Sequence, residues 1–101
     1  MWIATDGAVD FDRADGLYGV DTVGPGRALT RLIYLAPHGA EVTGPAFAAD
    51  GESLFLSVQH PGEDSKSLEK LTTRWPDFDD KIPPRPSVVV ITRQGGGLIG
   101  A

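Results

Sequence analysis

Cysteine is absent from the 101 residues. Within this chain that excludes a disulfide, a thiolate zinc site and a cysteine nucleophile together. It does not report a compartment, because a secreted protein need not use disulfides. Basic residues are scarce as well: nine Lys and Arg stand against fourteen Asp and Glu, for a net charge of −5. Phosphate backbones repel such a chain, so nucleic acid is a poor partner. Long apolar runs are missing; even Ser87 to Thr92 is far too short to span a bilayer. The opening MWIATDG has no basic region followed by an apolar stretch, so no signal peptide is read there. No heptads and no helical repeat occur.

What is present is ordinary for a globular protein: 41% hydrophobic and 23% charged residues. The length suffices for one small domain with a modest core. Its organising stretch is Gly39 to Glu63, GAEVTGPAFAADGESLFLSVQHPGE. Two strand-like runs, Thr43–Ala48 and Ser53–Gln59, flank Ala49-Asp50-Gly51-Glu52. Asp-Gly between apolar runs is a strong short-range hairpin signal. In an antiparallel pair, the start of one strand and the end of the next share one end of the sheet. The hairpin therefore gathers Glu41, His60 and Glu63 on one rim and sends Asp50 to the other.

The rest of the chain reads as further β-structure. Met1–Thr5 is a short strand ending at Asp6-Gly7, and the acidic loop Ala8–Asp15 follows. Asp10, Asp12 and Asp15 invite a calcium-loop reading, but a closing glutamate and flanking helices are lacking. A solvated acidic loop is the other reading. Strands are expected at Gly16–Thr22 and Ala28–Ala36, separated by the turn Val23–Arg27. Residues 62–84 form a long polar insertion, in which Ser65–Thr72 is read as two helical turns capped by Ser67. Ser87–Arg93 is a continuous β-branched run and reads as a strand. Trp2-Ile3 looks like the interior of a strand directly after Met1, so a piece of a longer protein, or a truncated gene, is expected.

A weak internal repeat of strand, polar loop and strand suggests propeller blades, each a four-stranded antiparallel meander. The expected fold is all-β: a partial β-propeller of about one and a half blades with a long, partly helical loop. Residues 1–36 would supply one blade and 41–93 the next, with an insertion at 61–86. The alternative is a self-contained antiparallel sheet or small sandwich of about six strands, its open edges covered by a second copy.

Asp6 and Glu41 are the leading metal-ligand candidates, because hard cations want carboxylate oxygens. Asp6 equally suits the first position of a turn, and Glu41 an exposed loop. His60 and Glu63 could line a metal or phosphate rim, or merely end a strand. Arg85 could meet a phosphate through its fork, or face solvent as a loop charge. Ser57 lacks a nucleophile elbow, and neither GPG nor QGGGLIG is followed by Gly-Lys-Ser/Thr, so they are not phosphate loops.

EVTGPAFAADGESLFLSVQHPGE, flanked by WIATDG, DGLYGV and RPSVVVITRQGGGLIG, resembles the end of the PhoX-type alkaline phosphatases. QHPGE is its most distinctive part. The resemblance implies a metal-dependent phosphatase acting on phosphate monoesters, with a β-propeller fold and an iron and calcium cluster at the channel mouth. It implies a periplasmic or secreted location for an intact member. By motif, Asp6 in TDG and Glu41 in GAEVTGP would be the metal-binding positions. The chain departs from the family in lacking the cluster's cysteine and the acids of earlier blades. A C-terminal fragment, inactive alone and unable to hold the metals tightly, is therefore expected. The competing reading is a non-catalytic β domain that self-associates or binds a protein partner through sheet edges.

Overall fold

The computed structural model describes residues 1–100. The strands are β1 (Trp2–Ala4), β2 (Gly16–Val20), β3 (Thr30–Leu35), β4 (Glu41–Phe47), β5 (Ser53–Gln59) and β6 (Ser87–Thr92). A short 3₁₀ turn spans Ala8–Phe11. The strands make two open three-stranded antiparallel sheets, β1-β2-β3 and β4-β5-β6.

Alternation explains the second sheet. In β5, Leu54, Leu56 and Val58 are buried while Phe55 faces out, as a period of two demands. β6 pairs with β5 without a break, from Ser53↔Thr92 to Val58↔Ser87. Ile91 and Val89 therefore lie opposite Leu54 and Leu56 on the inner face. The connecting turn is the one that Asp-Gly foretells. Asp50 Oδ1 accepts the Glu52 N–H at 2.9 Å, and Gly51 takes a φ of +73°. β4 is less regular: its register shifts between Thr43 and Ala46. Pro45 falls in that interval and has no N–H to donate.

The core is a single cluster of Leu17, Ala36, Ala40, Val42, Leu54, Leu56 and Val58. Trp2, Tyr34, Trp75, Val89, Ile91 and Ile99 pack against it. The sheets meet through β4, which lies against β1 and β2. The Val42 N–H donates to the Thr5 carbonyl at 3.4 Å across that junction. The molecule is elongated, 49 × 28 × 19 Å. Its radius of gyration is 15.2 Å, where a compact chain of this length has about 13 Å. Among the described residues no helix is long and apolar enough to cross a membrane.

Two expectations are corrected. The partial β-propeller is not formed: each sheet stops at three strands, and among the described residues the sheets neither curl nor close. The chain after β6 does not return as a strand. Gly95, Gly96 and Gly97 all have positive φ, and the tail crosses back so that the Ile99 N–H donates to the Gly51 carbonyl at 3.0 Å. The antiparallel meander is what stands. The helical turns at Ser65–Thr72 are also absent. Eight residues are too few to hold a helix without packing support. Moreover the ends of this stretch are drawn together: the Thr72 N–H donates to Ser65 Oγ at 3.0 Å. A helix would hold positions seven apart at a rise of about 10 Å.

Leu56, 1% exposed on the central strand of its sheet, tests the core directly. Leu56→Ala is expected to destabilise the fold by about 3 kcal/mol, read as a fall in the urea midpoint at unchanged slope.

Candidate functional site

The hairpin register builds the site. Glu41 opens β4 and pairs with Gln59, the last residue of β5. The next residue, His60, therefore stands beside Glu41, with Nε2 3.3 Å from Glu41 Oε2. His60 adopts a φ of +35°, and the Glu63 N–H closes the turn onto its carbonyl at 3.0 Å. That turn brings Glu63 Oε2 to 3.3 Å from His60 Nδ1. The Glu63 contact is one of charge rather than an aligned hydrogen bond, so Nδ1 is buried without a bonded partner. Partial burial by itself would lower the imidazole pKa. The Glu41 hydrogen bond, the Glu63 charge and the Gly39 carbonyl outweigh it, and the His60 pKa is raised above 6.5.

A second histidine pair lies alongside. The Gly62 N–H donates to the His38 carbonyl at 2.9 Å, tying the β3–β4 connection to the turn after β5. His38 Nε2 then meets Asp64 Oδ2 at 2.7 Å. The Thr72 hydroxyl donates to the other carboxylate oxygen, Oδ1, at 2.7 Å. That hydroxyl, and after it His38, hold the Asp64 carboxyl below its ordinary 3.8 in spite of the opposing effect of burial. Gly39 is packed into the same corner with a φ of +71°.

Asp6 follows β1 and is exposed. The Thr5–Val42 bond brings the chain at Asp6 to the same end of the molecule as Glu41. Asp6 lines an open cleft of about 570 Å³ with Thr5, Arg13, Asp15 and Tyr18. Within it Asp15 is only 3% exposed. Its Oδ2 accepts the Ala8 N–H at 3.0 Å, and its Oδ1 has no partner. Asp10 and Asp12, by contrast, are exposed. Asp15 therefore pins the acidic loop from inside, while the other two aspartates face solvent. Arg85 lies apart from the rim. Its Nε and Nη2 grip Asp77 at 2.7 and 3.0 Å, so its fork is occupied.

The metal-binding expectation is corrected. Among the described residues no group of three or more His, Cys, Asp or Glu side chains is arranged to hold a metal ion. The reason is geometric: His60 stands between Glu41 and Glu63 and engages each with a different nitrogen. The three side chains do not converge on one point. The residues do not fit the calcium and iron that the resemblance implies.

Sequence reasoning brought Glu41, His60 and Glu63 together on one rim, and it set Asp50 at the other. It did not single out His38 and Asp64 as a pair, and it grouped Asp15 with Asp10 and Asp12. Pro37-His38-Gly39 between two strands, one connection away from QHPGE, was the available signal for the first two. For Asp15 the signal was its place two residues before the buried Leu17, at the start of a strand.

Two antiparallel sheets with an acid–imidazole rim at the hairpin's open end define a β-domain whose polar residues gather on one side. The family described as alkaline phosphatase PhoX matches residues 1–62. The chain belongs to that family. The match covers β1 to β5 and the QHPG turn but stops before β6. No curated protein and no solved structure matches the chain.

A raised His60 pKa stabilises the fold in full below 6.5, and that contribution is lost as pH rises through the folded-state value. The His60 imidazole is expected to titrate above 6.5 by NMR, to titrate lower in Glu41→Gln, and the urea midpoint should fall from pH 6 toward pH 8 less steeply in that variant. Gly39→Ala is expected to cost more than about 1 kcal/mol. An added Cβ would stand 2.6 Å from Asp64 Oδ1, so the His38–Asp64 contact should be disrupted as well, seen as a shift of the His38 ring signals.

Proposed function

We propose that this chain is the C-terminal part of a PhoX-type phosphatase that hydrolyses phosphate monoesters, and that it lacks activity alone. The observation that supports this reading is the family match across residues 1–62, which includes the Glu41 and His60 segments. Asp6, Glu41, His60 and Glu63 then form one polar side of a site that is completed from outside these residues. Calcium takes six to eight oxygen ligands. Asp6 and Glu41 are far short of that number, so any metal chemistry of the family rests on other donors. His60, its pKa raised above 6.5 by the two acids that flank it, can donate a hydrogen bond or a proton at that rim. An intact parent would work in the periplasm or outside the cell, as the family does.

The purified chain, assayed on p-nitrophenyl phosphate with calcium and iron, is expected to give no turnover above buffer; turnover would overturn the claim of incompleteness. The same residues joined to further coding sequence upstream should hydrolyse the ester, and Glu41→Gln should reduce that rate. An inactive extended chain would overturn the phosphatase reading.

A second reading draws on the open sheets. The outer edges of β3 and β6 carry no partner strand among the described residues. A non-catalytic β domain that associates through such an edge would use them.

A further inference from the structure

Edge strands in natural proteins are guarded by charge, proline, a bulge or a covering segment. β3 is guarded twice: its pairing with β2 is shifted between Leu17 and Tyr18, and Arg31 sits within it beside Asp21 at 3.7 Å. β6 has none of these protections. Ser87 to Thr92 contains no charge, no glycine and no proline, and it pairs with β5 in unbroken register. Among the described residues its backbone bonds to no strand but β5. Its outward face is apolar: Val88 is 69% and Val90 54% exposed, beside Phe55 at 43%.

Surface area points the same way. A compact monomer of 10.7 kDa exposes about 5,500 Å², whereas this chain exposes 6739 Å². The excess of roughly 1,200 Å² exceeds the ~800 Å² per partner that a stable interface buries.

We propose that two copies of this chain pair β6 to β6 across a two-fold axis perpendicular to the sheet, centred on Val90. Such an axis keeps the inner and outer faces of the two sheets continuous, so residues facing each other across it share parity. Of the registers that satisfy this, two overlap five of the six residues of β6, centred on Val89 and on Val90. The one centred on Val89 sets Arg93 opposite the partner's Arg85, a like-charge pair. The one centred on Val90 sets Val88 opposite Thr92, and Arg93 opposite Ser87, with no such clash. The product is a continuous six-stranded sheet in which the Phe55, Val88 and Val90 patches of both copies become one surface. An isologous contact of this kind uses up its own edge and stops at two chains.

The inference deepens the second functional reading and is independent of the phosphatase one. The test is sedimentation equilibrium of the chain over a range of concentrations, alongside Val90→Lys and Leu32→Lys. The expected result is a reversible dimer whose dissociation constant rises at least about 30-fold in Val90→Lys, as when a central contact is lost. Leu32→Lys on β3 should leave it unchanged. Circular dichroism checks that each variant keeps its β-structure, which both exposed positions favour. A chain that stays monomeric overturns both the dimer and edge self-association. A dimer indifferent to Val90→Lys but broken by Leu32→Lys overturns only the assignment to β6. Open-ended assembly overturns the two-fold closure.

Discussion

The fold depends on the inward row of one strand. Leu54, Leu56 and Val58 of β5 are three of the five largest fully buried side chains, and the other two, Leu17 and Val42, lie in β2 and β4. Each sheet has only three strands, so neither can bury its apolar face alone. The sheets meet where β4, carrying Val42, lies against β1 and β2, and the cluster of the β5 row with Val42 and Leu17 makes two thin meanders one body. The elongated shape follows: the sheets share a small common core and leave their outer strands exposed.

The same period of two governs the polar rim. Register places Glu41 opposite Gln59 and Leu54 opposite Ile91 in one operation. A slip of one residue would turn the β5 row to solvent and carry His60 away from Glu41. Fold and site are therefore coupled through a single alignment. The turn after β5 extends that coupling, since Gly62 donates to the His38 carbonyl and so fastens the end of the hairpin to the segment that precedes it.

The strands and the hairpin were legible because alternation and turn chemistry are local. SLFLSVQ after Asp-Gly leaves little choice, and SVVVITR even less. The ends of strands were less legible: β4 begins at Glu41 rather than Thr43, because pairing with Gln59 extends it past the apolar run. How the meanders assemble was not legible. A repeat of three strands looks the same whether a fourth arrives or not, and the tail's return over Gly51 is a long-range contact. The insertion misled for a related reason. Leu68 and Leu71 share a helical face, but Leu68 is 76% exposed, and Asp64, Ser65 and Thr72 bond to one another instead. Asp15 was hidden by its company: burial distinguishes it from Asp10 and Asp12, and burial is a tertiary property.

The electrostatics of the rim bear on what family membership implies for this chain. Five of its acids and bases are already matched: Glu41 and Glu63 with His60, and Asp64 with His38. Arg85 is matched with Asp77 further along. A cation entering between Glu41 and Glu63 would compete with an imidazole held at 3.3 Å on both sides and biased toward its charged form by those same carboxylates. Like charges at that separation repel, so the two occupants exclude one another. Within these residues His60 takes the role of the counter-ion. The acids of the hairpin are thus partly offset from inside and held apart on two sides of one ring, which is why sequence similarity to a metal-dependent family does not by itself assemble a metal centre here.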